Sequence, residues 1–137
     1  MAITKIDLTH QRIMRLKDLD ELALVFFPGN RNHQRIFVAI FVEIKWADEQ
    51  FLSALEPVAD KYGLSRRVLE TVRAKMRRLG LIEHVCRFNH RHGYREGWVF
   101  SRKFATSLTR LAQIADELKV TKGPVQEKKD RDLFMYI

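Results

Sequence analysis

From Ser65 to Gly80 the chain carries the pattern that most restricts its fold. At 100° per residue, Val68, Leu69, Val72, Met76 and Leu79 fall on one arc. Arg66, Arg67, Arg73, Arg77 and Arg78 occupy the remainder, with Glu70, Thr71 and Ala74 among them. Ser65 is a good N-cap residue and Gly80 a left-handed C-terminal stop. The spacing therefore predicts a helix over 65–79 that buries one face and presents an arginine-rich one. A solvated helix face ordinarily mixes signs, whereas this helix holds six basic groups and a single acidic one. Lys75 lies at the edge of the apolar arc, where a lysine stem snorkels along the greasy surface.

Charge over the whole chain points the same way. The 137 residues carry a formal net charge of +8, and +6 of it falls on residues 65–97. Nine basic groups there (Arg66, Arg67, Arg73, Lys75, Arg77, Arg78, Arg87, Arg91 and Arg95) meet only Glu70, Glu83 and Glu96. A patch focused in this way suits a polyanionic partner, nucleic acid before an anionic membrane surface. The longest apolar run, Ile36 to Val42, is far short of the roughly 20 residues of a membrane span, so no membrane partner is expected. No secretory signal pattern is visible, and the single cysteine, Cys86, has no internal disulfide partner; both fit a cytoplasmic location.

The rest of the chain reads as further helices and one hairpin. Asp18 followed by Glu21 resembles a capping box opening a helix at Leu19–Phe27, with Thr9 to Lys17 as its extension and Pro28-Gly29 as its end. Gln34 to Trp46 is apolar on nearly all sides; its length favours a buried helix, although its β-branched content also suits a strand. Ser53 to Tyr62 reads as a helix capped by Ser53 and Glu56 and stopped by Gly63. Leu81 to Phe88 and Trp98 to Ser101 have strand character, leaving Asn89 to Gly97 as a long basic loop. In the helix expected over 103–119, Phe104, Leu108, Leu111, Ala115 and Leu118 are spaced 4, 3, 4, 3, a seam that pairs with a second copy or packs on Ile36 to Ile44 of the same chain. Residues 121–132 read as a charged linker before the apolar tail 133–137.

The stretch Leu55 to Leu79 resembles a helix-turn-helix, and residues 32–101 resemble a winged helix-turn-helix domain. Val58 and Ala59 stand where the two helices cross closely, and Gly63 follows four residues later at the sharp turn. Tyr62, Leu64, Leu69 and Val72 match the apolar positions between the helices, and Leu79-Gly80-Leu81-Ile82 matches the family's entry into its strand. The resemblance implies a mainly α fold with a small β-hairpin, flanked by an N-terminal helical extension (1–31) and a C-terminal, possible dimerisation helix (102–120). It also implies sequence-specific binding of double-stranded DNA by a transcription regulator, and the Phe104 to Leu118 seam adds the expectation of a homodimer. Helix 65–79 would enter the major groove through Ser65, Arg66, Arg67, Glu70, Thr71, Arg73, Arg77 and Arg78. The wing 87–97 would touch backbone or minor groove through Arg87, His90, Arg91, His92, Tyr94 and Arg95.

Competing readings follow from the same residues. A plasmid or viral replication or partition protein would share the domain, and a winged helix used for protein–protein assembly would turn the basic helix to an acidic partner. Cys86, His90 and His92, with His84 nearby, are metal-ligand types, but without a Cys-x-x-Cys pair or a second ligand group the expectation is no metal and no cofactor. No phosphate-cradling glycine loop, activated nucleophile or carboxylate cluster is apparent, so a binder is expected rather than an enzyme.

Overall fold

The computed structural model describes residues 4–91 and 93–137. It is mainly helical with one antiparallel hairpin: α1 (His10–Met14), α2 (Leu19–Phe26), α3 (Arg31–Lys45), α4 (Glu56–Tyr62), α5 (Arg66–Leu79), β1 (Ile82–Asn89), β2 (Gly93–Phe100), α6 (Lys103–Glu117) and α7 (Pro124–Asp132). Two compact units divide the chain, the first ending at Lys103 and the second running from Phe104 to Ile137.

In the first unit α3 is the central element, in contact with α2, α4, α5 and β2. Ile36, Phe37, Ile40 and Ile44 are buried on it, which resolves 34–46 as a helix rather than a strand. Asn30 caps it, its side-chain oxygen accepting from the His33 N–H at 3.0 Å. Phe37 lies 5.7 Å from both Phe26 and Phe27, and Phe41 lies 4.8 Å from Phe100, so rings join α2, α3 and β2. α5 closes the core with Leu69, Val72 and Met76. Burying side chains of this size is worth about 1.5–3 kcal/mol each.

Local chemistry sets the α4–α5 geometry. Gly63 takes φ 65°, and Leu64 N–H donates to the Ala59 carbonyl at 2.7 Å, which turns the chain sharply into α5. Ser65 Oγ accepts from Val68 N–H at 3.4 Å to open α5; Gly80 at φ 80° ends it, and Leu81 N–H returns to the Met76 carbonyl. Glu43 of α3 accepts from Lys61 (2.7 Å) and Tyr62 (2.8 Å) of α4, bonds that hold its carboxyl below the ordinary range.

Four local expectations are corrected. Thr9 to Lys17 does not extend α2: α1 closes at Met14, and Asp18 is extended (φ −126°, ψ 168°), a conformation that cannot continue a helix, with no cap bond from its side chain. Ser53 caps nothing, because Leu52 is drawn into an extended pairing with Trp98 and Leu55 into the core, so α4 starts at Glu56. The long loop 89–97 is mostly strand. Its pairing continues through Cys86↔Glu96, Arg87↔Arg95 and Phe88↔Tyr94 to Asn89↔Gly93, and main-chain bonds there need no apolar side chains. The linker 121–132 contains α7, braced by Arg131–Glu127 (2.9 Å) and Gln126–Asp130 (2.8 Å) pairs one turn apart.

Leu52 and Trp98 exchange two main-chain hydrogen bonds (3.0 and 2.7 Å), adding a short third ribbon to the hairpin. Gly97 makes this approach possible, since a Cβ there would sit 2.5 Å from a Phe51 ring carbon and 2.7 Å from the Leu52 oxygen. In the second unit α6 and α7 contain no buried residue. No helix among the described residues is long and apolar enough to cross a membrane.

Gly97→Ala is expected to lower unfolding stability by about 1–3 kcal/mol through overpacking, read as a shift in urea midpoint. Glu43→Gln is expected to cost about 1 kcal/mol at neutral pH, with Lys61 exposed and the pair partly screened. Because the folded carboxyl titrates below its ordinary value of 4.5, this stabilisation is present above that pH. It is lost as the pH falls through the folded value, so Glu43→Gln flattens the acid limb of wild-type stability. An unchanged acid limb would contradict the assignment.

Candidate nucleic-acid interface

With its apolar stripe sealed, α5 directs its guanidinium groups outward. Arg66, Arg67, Glu70, Thr71, Arg77 and Arg78 are exposed and Arg73 is half-buried. The side chains differ in how they are held. Arg66 pairs with Asp60 of α4 at 3.1 Å, a contact exposed on both sides and so weak. Arg67 has no charged partner among the described residues. Thr71 donates its hydroxyl to the Arg67 carbonyl one turn back (3.2 Å). Arg78 donates to Thr4 Oγ1 at 3.3 Å.

Arg73 and Arg77 lie over the ring of Trp98, with guanidinium carbons 5.2 and 6.0 Å from its centroid. Arg73 also reaches Glu70 at 4.0 Å, while its Nε is buried without a hydrogen-bond partner. A cleft of about 230 Å³ beside these groups is lined by Leu55, Arg66, Leu69, Glu70, Arg73 and Trp98, among others.

Lys75 does more than snorkel. Its ammonium donates to the Lys5 carbonyl at 2.6 Å and to the Phe26 carbonyl, and lies 4.5 Å from the Phe27 ring centroid. The Phe26 oxygen belongs to the last turn of α2, where a cation is favoured. Burial, with Arg78 nearby, pushes its pKa below the ordinary lysine value.

On the hairpin, Arg87 lies on β1 as expected, and Arg95 is a strand residue of β2 rather than a loop residue. Their guanidinium groups lie 5.7 and 4.2 Å from the Phe51 centroid, and Arg95 is ion-paired with Glu49. His90 and Arg91 form the exposed turn; His92 lies outside the described residues. Tyr94 donates to Glu96 at 2.6 Å, and hydrogen bonding with Cys86 first and Glu96 second raises its pKa above the ordinary phenol value.

The structure thus brings Arg66, Arg67, Glu70, Arg73 and Arg77 onto one helix face and joins it to the hairpin through Trp98. Three aromatic contributors escaped the sequence reading. Trp98 and Phe51 are cation platforms, and Phe88 is an exposed ring at the far end of β1. The signal for Phe88 was strand alternation, which places His84, Cys86 and Phe88 on one face, had the pairing been carried through residue 89.

Cys86 and His90 join no metal-ligand group among the described residues, and the third member considered, His92, lies outside them. Asp18, Asp20 and Glu21 do converge within 4.8 Å, but acidic groups at the first turn of α2 are favoured by the helix terminus itself. A separate groove of about 430 Å³ lies over α3, lined by Ala23, Val38, Ala39, Val42 and Leu64 among others. Comparison of the chain with family models, with curated proteins and with solved structures finds no match.

Proposed function

We propose that the protein is a winged helix-turn-helix binder of double-stranded DNA, acting as a homodimeric transcription regulator rather than an enzyme. The observation that carries this reading is the exposed arginine face of α5, backed by a buried stripe and flanked by the hairpin. The order α4, glycine turn, α5, hairpin, with Leu52 pairing to β2, supports the winged-helix assignment. A helix about 10–12 Å wide fits the major groove, and a guanidinium fork pairs with guanine O6 and N7. Ser65, Arg66 and Arg67 at the α5 N-terminus reach deepest in this docking mode, with Glu70, Thr71, Arg73, Arg77 and Arg78 along the groove. Arg87, His90, Arg91, His92, Tyr94 and Arg95 serve the adjacent backbone or minor groove.

A replication or partition protein would use the same surface and differ only in the site bound. The assembly reading draws on the exposed apolar side chains of the C-terminal segment, Leu133 to Ile137. Dimerisation is supported by the α6 stripe, where Leu108 and Leu111 are exposed, Leu111 by 59%, with exposed Leu118 in the turn just past the helix end. In the first unit Ile36, Phe37, Ile40 and Ile44 of α3 are buried among α2, α4, α5 and β2.

Titration of a duplex at increasing salt tests the central reading, because each phosphate contact contributes about −0.9 to the log–log slope. A slope near zero would favour assembly with a protein partner. Arg67→Ala is expected to relax sequence preference by about 1–3 kcal/mol per lost base contact, and Arg91→Ala to weaken all duplexes alike. If neither substitution alters binding, the docking surface is misassigned. Light scattering on Leu111→Glu should show half the wild-type mass with an unchanged circular dichroism spectrum; a retained dimer mass would remove α6 from the interface.

A further inference from the structure

The outer half of the hairpin has a feature that gripping phosphates does not require. The register places His84 opposite Trp98, Cys86 opposite Glu96 and Phe88 opposite Tyr94, so these six side chains share one face. At its base Trp98 is only 6% exposed, beneath Arg73 and Arg77 of α5. At its far end Phe88 is 73% exposed and Tyr94 63%. One sheet face therefore runs from the arginine surface of α5 to an unburied aromatic pair. The separation, four residues of extended strand, is about 13 Å, or about four base steps.

The surroundings specify the chemistry of what this pair meets. Tyr94 turns its hydroxyl to Glu96, and His90 packs edge-on against Phe88 at 5.6 Å. Glu49, the other carboxylate near the ribbon's outer half, is paired with Arg95. Arg73 and Arg77 of α5 stand over the base of this same face, while Arg87 and Arg95 lie on the ribbon's other face against Phe51, so the partner of the rings is an anionic polymer that also offers flat apolar surfaces. Nucleobases between phosphates have both properties.

We propose that Phe88, supported by Tyr94 and His90, is a stacking wedge that enters a base step of the DNA held by α5 and favours steps whose pairing is already weakened. The wedge rests on the DNA-binding reading above and adds a preference for duplex defects to it. Inserted apolar side chains unstack a step at an energetic cost, and that cost is smallest where the bases are mispaired.

Fluorescence anisotropy of the full chain at low salt, with a 20-base-pair duplex either fully paired or carrying one central mismatch, tests this. Wild-type protein is expected to bind the mismatched duplex about tenfold more tightly, within what one base–aromatic stack contributes. Phe88→Ala should bring the ratio to about one and Phe88→Trp should restore it; the ring is exposed, so neither change disturbs the core. Equal wild-type affinity for both duplexes, or a preference that survives Phe88→Ala, overturns the wedge while leaving the α5 reading in place. Absence of binding to either duplex overturns both. Anionic vesicles perturbing Phe88→Trp emission where mismatched duplex does not would assign the ring to a membrane surface and overturn it as well.

Discussion

Packing of Leu69, Val72 and Met76 against α3 fixes the rotation of α5 about its own axis, and the remaining features inherit that choice. A helix that turned by one residue would drive a guanidinium into the Ile36–Ile40–Ile44 core, at a desolvation cost that the surrounding hydrocarbon has no means to offset. The apolar stripe therefore determines where the arginines point, although it contains no polar atom. Ser65 and the glycines at 63 and 80 set where the helix starts and stops, so position along the axis is specified as firmly as rotation.

The cations exposed by this arrangement are not equivalent. Arg73, Arg77, Arg87 and Arg95 lie against aromatic rings that restrict them before any ligand arrives, and restricted side chains lose less entropy on binding. Among the described residues no ring underlies Arg67, which bears that entropy loss in full. The face thus combines preset charges near Trp98 and Phe51 with adaptable ones at the α5 N-terminus, a division suited to fixing register with one set and reading bases with the other.

Much of α5 was legible because its signals are local: a cap, a stop and a 3.6-residue stripe within sixteen positions. The mainly helical architecture with one small hairpin was legible for the same reason. The hairpin's length was not, since the outer ribbon buries little and its half-covered face lays Arg87 and Arg95 against Phe51 in place of apolar side chains, which leaves no apolar alternation there. The platforms at Phe51 and Trp98 were also hidden, because a ring's partner across the fold is a matter of tertiary contact. Ser53 failed as a cap for a related reason: the pairing of Leu52 with Trp98, 46 positions away, decides where α4 begins. The long-range Lys75 contact with residue 5 had no counterpart in local pattern at all.

That lysine links distant parts of the chain through atoms that carry no sequence information. Its ammonium grasps carbonyl oxygens of Lys5 and Phe26, groups every amino acid possesses. Point changes in the segment around Lys5 therefore leave the acceptors in place, and only a change in the segment's path, or removal of the lysine's charge, can undo the clasp. That segment is consequently free to drift in composition while still delivering its backbone to the rear of the arginine helix.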